Sequence, residues 1–267
     1  MNAELPMITI VMPSLNMNRF IRAAIDSVLS QDYPSFELIV TDGGSKDGTL
    51  DTLRSYGDRI RWISEKDHGQ SDAIIKGFRM ARGEIYSWLN ADDISEPGSF
   101  RAMGECFAQY PETQWIMSHV SEIDEHGKEI NRWVTRYKQW RLRHYSFHTF
   151  LVENYISQMG VFMRRSAYEA VGGVNGQIQY AMDYDLELRL AQRWNPKLVD
   201  RFVARFRLHS ASKTVAGVHK TFASDFQIAK NHAGGRRFIV ALHWLNNKKI
   251  IFAYRAIDAF AALKKIF

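Results

Sequence analysis

In Glu84-Ile85-Tyr86-Ser87-Trp88-Leu89-Asn90-Ala91-Asp92-Asp93-Ile94-Ser95-Glu96-Pro97, a short apolar and aromatic run, Ile85 to Leu89, follows Gly83 and ends in a polar cluster. The run has the length and composition of a strand. Side chains that directly follow a buried strand are held rigidly, and the strand ends of open α/β sheets are where ligands sit. Asp92 and Asp93 are adjacent, and two carboxylates so placed repel each other unless something positive lies beside them. A divalent cation bound to a phosphate meets that need, because hard cations take oxygen ligands. The alternative is a solvated turn that caps the next helix, with Asp-Asp chosen for its turn chemistry.

Working outward toward the N-terminus, the same strand-then-polar pattern recurs. Ile8–Met12 is a near-continuous β-branched run of the kind buried on both faces, broken by Pro13-Ser14-Leu15-Asn16. Phe36–Val40 runs into Thr41-Asp42-Gly43-Gly44-Ser45, and Ile60–Ser64 runs into Glu65-Lys66-Asp67-His68-Gly69-Gln70. Between these runs the apolar spacing predicts helices over Arg19–Gln31 with Asn18 as N-cap, over Thr49–Tyr56, and over Ser71–Arg82 with Gly83 as the stopping glycine. Strand–helix alternation of this kind predicts a parallel sheet with helices on its faces. The polar loops then converge on one sheet edge, in a crevice with several carboxylates. Such a crevice takes phosphates if a metal is present, or takes a nucleotide's base and ribose through acceptor oxygens.

The totals agree with a globular α/β protein. At 267 residues, 46% apolar and 24% charged, the chain can bury a full core and is not disordered. A net charge of +6 and a pI near 9.3 favour an anionic partner: nucleic acid, nucleotide phosphate or a membrane surface. The single cysteine, Cys106, excludes an intramolecular disulfide and fits a reducing compartment. No signal-peptide pattern and no run of about 18 apolar residues is present, so the expectation is work on the cytosolic side. The dinucleotide fingerprint Gly-x-Gly-x-x-Gly and the phosphate loop Gly-x-x-x-x-Gly-Lys-Ser/Thr are both missing, and an acidic-glycine methyltransferase loop would follow the first strand rather than the second.

Four segments together carry a resemblance: Pro13-Ser14-x-Asn16, Asp42-Gly43-Gly44-Ser45-x-Asp47-Gly48-Thr49, Gly69-Gln70-Ser71-Asp72-Ala73-Ile74-x-Lys76-Gly77 and Leu89-Asn90-Ala91-Asp92-Asp93. In order, over residues 7–215, they are similar to the motifs of family 2 glycosyltransferases, which are inverting, nucleotide-sugar-dependent enzymes of the GT-A fold. The resemblance implies an α/β, mostly parallel Rossmann-like sheet in a domain over 1–215. Residues 1–113 would be its nucleotide-binding half, 114–215 its acceptor and catalytic half, and 216–267 a basic helical extension. It also implies a nucleotide-sugar pocket from Pro13, Ser14, Asn16, Asp42, Asp67, Gln70, Asp72, Asn90, Asp92 and Asp93. Within it Asp42, Ser14 and Asp72 would hold the base or ribose, Asn90 would contact the ribose and Asp92 would bind a metal. Asn90 stands where the family's Asp-x-Asp motif has its first acid.

The second half supplies the rest. Trp115–Val120 reads as a strand, Glu125-His126-Gly127-Lys128 as a turn, and Met159–Met163 as a further buried strand. Arg132–Tyr155, dense in Arg, His, Tyr, Trp and Phe, reads either as a covering flap with a solvated basic face or as a loop or helix pair whose rings stack on acceptor sugars. Gln158 resembles an acceptor-facing residue, and Tyr184 is assigned to the acceptor with it. Tyr180–Ala191 begins a helix similar to the family's Glu-Asp motif, which implies that Asp183 is the catalytic base, the preceding acid being Met182 here. Asp183 and Asp185, two apart, do not share a helix face, and the alternative for Asp183 is an N-terminal cap. Phe206–Ser212 resembles the segment whose His, here His209, reaches the metal or diphosphate. Lys248–Phe267 is amphipathic, with Arg255, Asp258 and Lys265 opposite Phe252, Ile257, Phe260, Leu263 and Phe267. From Arg236 onward seven Lys/Arg face one acid, a net +6. Such a helix lies on an anionic membrane surface, or packs on its own domain or in a homodimer.

The implied reaction is transfer of a sugar from a nucleotide diphosphate sugar to the hydroxyl of a saccharide or lipid-linked saccharide, with inversion and with Mn²⁺ or Mg²⁺ as cofactor. The expected setting is polysaccharide or glycoconjugate synthesis, cytoplasmic or peripheral on the inner face of the plasma membrane. A nucleotidyltransferase of similar fold would need a Gly-rich, Arg-containing loop after the first strand, which is absent. A nucleic-acid binder would need its positive excess at the crevice rather than at the C-terminus.

Overall fold

The computed structural model describes residues 4–210, 212 and 217–263, with side chains as far as residue 251. The chain begins as read: β1 (Ile8–Ser14), α1 (Ile21–Leu29), β2 (Phe36–Asp42), α2 (Thr49–Ser55), β3 (Arg61–Ser64), α3 (Gln70–Met80) and β4 (Ile85–Trp88). Strands β3, β2, β1 and β4 lie side by side in that order, all parallel. Beyond β4 come β5 (Ile94–Ser95), α4 (Ser99–Gln109), β6 (Trp115–Ile123), β7 (Glu129–Ile130), α5 (Arg132–Arg143), α6 (Phe147–Val152), β8 (Phe162–Arg164), α7 (Arg165–Ala170), α8 (Met182–Ala191) and β9 (Lys197–Arg207). The sheet continues β4-β8-β6-β9-β5, with β8 antiparallel to both neighbours and β6 parallel to β9. Strand β7 folds back on the end of β6 through the Glu125–Gly127 turn.

Strand alternation divides the core. On β1, Ile8, Ile10 and Met12 face one apolar cluster with α1 and α4, and Val11 faces the other with α3 and α8. Ile116 and Trp115 on β6 are sorted the same way. Gly77 lets α3 sit directly on the sheet: a Cβ there would come within 2.4 Å of Val11 Cγ1.

Three local expectations are corrected. Asn18 does not cap α1, whose N-cap is Phe20; the Asn18 amide oxygen instead accepts from Thr52 Oγ1, tying the β1 loop to α2. Gly83 is not a helix-stopping glycine, since α3 already ends at Met80 with an extended Ala81. Gly83 is small because a Cβ would meet Thr9 Oγ1 at 2.6 Å, and its N–H donates to that hydroxyl. Met159–Met163 is strand only from Phe162; Gln158–Gly160 is a 3₁₀ turn held by the Gln158 amide on the Trp88 carbonyl and the Ser118 hydroxyl on the Gly160 carbonyl.

After β9, α9 (Val218–His232) and α10 (Arg237–Leu263) pack against one another, α9 also against α8 and α10 also against α6. Ile228, Ala229 and Ala233 join the second apolar cluster, and His243 of α10 is fully buried. The first half of α10 therefore packs on its own chain. The side chains of Phe252, Arg255, Ile257, Asp258, Phe260 and Leu263, with Lys264, Lys265 and Phe267 entirely, lie outside the described residues.

Candidate active site

The loops that follow β1, β2, β3 and β4 meet at one sheet edge through specific bonds. Asn16 takes a positive φ of 54°, accepts from the Lys46 amide at 2.9 Å and donates its own amide to Ser45 Oγ at 2.7 Å. A Cβ on Gly43 would lie 2.5 Å from Asp67 Oδ2, so the glycine lets the second and third loops lie this close. The Gln70 amide donates to Asn90 Oδ1 at 2.7 Å, joining the third loop to the fourth. Ser71 Oγ donates to the Ile178 carbonyl at 2.6 Å, and Gln179 donates to the His68 carbonyl at 3.0 Å. These last two bonds draw the segment before α8 onto the β3 loop, and so bring the first turn of α8, with Asp183, to the same edge.

Asp92 meets His209 because of how the chain returns. Strand β5, immediately after Asp93, pairs antiparallel with β9, Ile94 opposite Arg205, so the end of β9 is delivered beside the end of β4. His209 Nε2 and Asp92 Oδ2 are 3.0 Å apart, and the His209 ring packs on Phe20 at 4.8 Å between centroids. That separation suits a hydrogen bond, and it equally suits two adjacent ligands about 2.1 Å from one octahedral ion. Among the described residues no set of three or more His, Cys, Asp or Glu gathers around such a point. The pair presents one carboxylate oxygen and one imidazole nitrogen, donor types that suit a divalent cation.

Arg207, unremarked in the sequence, organises this pair. Its buried guanidinium donates to the Asp92 carbonyl at 2.8 Å and to the Asp124 and Glu125 carbonyls at 3.1 and 3.3 Å. Its backbone N–H donates to Asp93 Oδ1 at 2.8 Å, while Asn90 Nδ2 donates to Asp93 Oδ2 at 2.9 Å. Asp93 is fully buried, and burial followed by the neighbouring Asp92 charge pushes its carboxyl well above the usual range. Asp93, expected in the nucleotide-sugar pocket, braces the turn from beneath. Asn90 spends both ends of its amide on Gln70 and Asp93.

Other expected residues are placed as follows. Pro13 and Ser14 are buried at the end of β1, and the Ser14 hydroxyl has no partner among the described residues. Asp42 is buried and accepts from the Gly44 and Ser45 amides, the Ser45 hydroxyl and Ser64 Oγ, so it shapes its own loop. Asp72 accepts from the His68 amide and pairs with Lys76; the His68 bond leads in holding its carboxyl below the usual range. Tyr184 is fully buried, with its hydroxyl donating to the Phe150 and Leu151 carbonyls, so the acceptor contact expected of it is corrected to a core position. Gln158 is nearly as enclosed and is spent on the Trp88 carbonyl.

Asp183 is partly exposed in the first turn of α8. The N-cap residue of α8 is Ala181, at φ 56°, so Asp183 is not the N-cap residue of the helix. A positive φ at a residue with a Cβ is uncommon and locally strained. Asp185 turns to the other side of α8, bonded to Arg189 and His232. The basic and aromatic segment is a helix pair, α5 and α6, whose first turn begins at the crevice edge: Asn131 donates to Glu122 at 2.8 Å, and Arg19 of the β1 loop pairs with Glu125 at 2.6 Å.

Comparison with known proteins points the same way. The model of Glycosyl transferase family 2 matches residues 9–172. An uncharacterized glycosyltransferase of Rickettsia typhi is 25% identical over 214 residues, covering 80% of this chain and 67% of the relative. Staphylococcus aureus TarS, solved with UDP-GlcNAc, superposes with a TM-score of 0.64 at 13% identity, over 83% of this chain and 65% of that one. The mannosyltransferase PcManGT of Pyrobaculum calidifontis, solved with GDP-Man and Mn²⁺, superposes with a TM-score of 0.62 at 16% identity, over 99% of this chain and 81% of that one.

Proposed function

The chain belongs to glycosyl transferase family 2, and from that premise and the crevice geometry we propose that it moves a sugar from a nucleotide diphosphate sugar to an acceptor hydroxyl with inversion. Its fold is the GT-A fold. The observation that carries the proposal is the meeting, on one sheet edge, of the Asp92–His209 pair with the first turn of α8. Asp183 is the general base and takes the acceptor proton, while the acceptor oxygen attacks from the face opposite the departing nucleotide. Asp92 and His209 are the protein ligands of a divalent cation, Mn²⁺ or Mg²⁺, which when bound neutralises charge on the leaving diphosphate. Arg207 fixes the Asp92 backbone, and the loops at Asn16, Asp42, Asp67 and Asp72 shape the nucleotide pocket. The domain runs over 1–215, and its acceptor side is α5 and α6.

The acceptor is a saccharide, free or lipid-linked, of an exported polysaccharide or glycoconjugate. The partner of the outward face of α10 is an anionic membrane surface. Among the described residues no helix is long and apolar enough to cross a membrane, and surface attachment needs none.

A thermal-shift screen of UDP-, GDP- and dTDP-sugars, with and without Mn²⁺, tests donor and metal together, because a bound ligand stabilises by mass action. Asp92→Asn is expected to abolish the Mn²⁺-dependent part of the shift. Asp183→Asn is expected to keep the shift and lower turnover about 10²–10⁴-fold, the range for a general base. Undiminished turnover in Asp183→Asn would remove the base assignment.

A further inference from the structure

Directly behind Asp183 the chain buries two carboxyl groups that the sugar-transfer reading does not use. Glu187 lies one helical turn further along α8, on the same stripe as Asp183. It is 1% exposed, and among the described residues neither of its carboxyl oxygens has a hydrogen-bond partner. Asp225 enters from α9, is 5% exposed, and takes one bond at 3.3 Å from the Asn154 amide. The other polar groups around Glu187 do not neutralise it. Tyr145, from the α5–α6 connection, has a buried hydroxyl without a partner, and Tyr184 spends its own on two carbonyls. His243 of α10 stacks toward Tyr184, and burial lowers its proton affinity. Arg189, on this part of the fold, is held by Asp185, to which His232 is also bonded.

A carboxylate sealed from water without partners cannot hold its charge. Glu187 is therefore a neutral carboxylic acid, pushed up by burial first and then by Asp183 and Asp225. Nothing in the packing needs it: an apolar side chain of the same length would fill the space at less cost. Groups kept at such a disadvantage beside a reactive residue point to tuning of that residue.

We propose that Asp225 and Glu187 are positioning residues for the base, a sealed acid pair that sets how tightly Asp183 holds the proton it takes from the acceptor. The inference rests on the reading of Asp183 as base. In the transfer, the acceptor O–H bond breaks and its proton goes to an Asp183 oxygen, as the new glycosidic C–O bond forms and the C–O bond to the diphosphate breaks. Burial, followed by the Asp183 charge, lifts Asp225 to about 7, so Asp225 gains its charge around neutrality. Once charged it raises the proton affinity of Asp183, and the base strengthens where the reaction needs it. Glu187, 1% exposed one turn behind Asp183, keeps water from screening that interaction.

Carboxyl ¹³C titration of the full chain tests this without any substrate, with Asp183→Asn used to assign the Asp183 signal. In the wild-type protein the Asp183 signal is expected to respond in two steps, one of them near neutrality in concert with Asp225. In Asp225→Asn, which keeps an acceptor for Asn154, the step near neutrality should vanish while the lower step, taken with Asp225 still uncharged, stays. Glu187→Gln, of the same size and uncharged, should leave the step near neutrality in place. A step near neutrality that persists in Asp225→Asn overturns the proposal, as does its loss in Glu187→Gln. The catalytic reading fails separately, on the turnover of Asp183→Asn.

Discussion

Arg207 shows what a buried cation does when its partners are backbone carbonyls rather than acids. Its guanidinium closes on the carbonyls of Asp92, Asp124 and Glu125, so one side chain fixes the strand-end acid against the hairpin that follows β6. Arg207→Met is expected to leave those carbonyls without a donor and to lower stability by roughly 2–4 kcal/mol, read as a lower urea midpoint. The Mn²⁺-dependent thermal shift should weaken with it; an unchanged midpoint and shift would contradict the clamp. Sequence reading located His209 two residues away and Asp92 itself, because both sit in motifs with recognisable chemistry. It passed over Arg207, whose work is done on main-chain atoms that no pattern of side chains reveals. The opposite error occurred at Tyr184, which lies inside a motif yet faces inward. A motif position states which residue is present, and burial is set by packing from distant segments. Glu187 and Asp225 were missed for the same reason, since nothing in either local sequence says that α9 will cover α8.

At the scale of elements, the strands and helices through β4 were legible to within a few residues, since strand and helix periodicities there are uninterrupted. The short β8 was not, because a 3₁₀ turn tied to Trp88 and Ser118 replaces the first part of the expected strand. Helix α10 is the element whose sidedness sequence left open between membrane and self-packing, and in its described half the two readings use different faces. Ile239, Val240, His243 and Asn247 turn inward. Phe238, Trp244 and Leu245 turn outward, 74%, 48% and 55% exposed, with Arg236 and Arg237 before them and Lys248 and Lys249 after. No acid interrupts 233–249. On the proposed membrane reading, this outward face, with aromatic and apolar residues between basic ends, meets the headgroup region of an anionic bilayer. Sedimentation with phosphatidylglycerol-containing vesicles should carry the chain down, and phosphatidylcholine vesicles should not. At about 1 kcal/mol for each basic residue near the surface, replacing Lys248 and Lys249 by alanine should weaken binding about 30-fold. Equal binding to both lipids would reject the surface.

For the whole molecule, the division at residue 113 expected from the motifs is not a seam in the fold. Strand β4 of the first half is hydrogen-bonded to β8 of the second, and both apolar clusters draw on both sides of that boundary. Ile8, Ile10 and Met12 belong to the same cluster as Ile116, Phe162 and Val203, and Trp88 to the same cluster as Trp115 and Tyr184. A fragment of residues 1–113 would expose those faces and leave β4 as an open, apolar edge, the configuration that leads to aggregation. It would also lose every contact that places Asp92 against His209. The shared sheet explains why the crevice can combine residues far apart in sequence: the chain returns through β9 to β5, the short strand that follows the Asn90–Asp93 turn. The expected outcome is therefore that fragment 1–113 shows no cooperative thermal transition by far-UV circular dichroism and binds no nucleotide sugar, whereas the full chain unfolds with its tryptophan fluorescence and circular dichroism in step. A fragment 1–113 that melts cooperatively would mean that the parallel half folds alone and that the later strands dock onto a finished core.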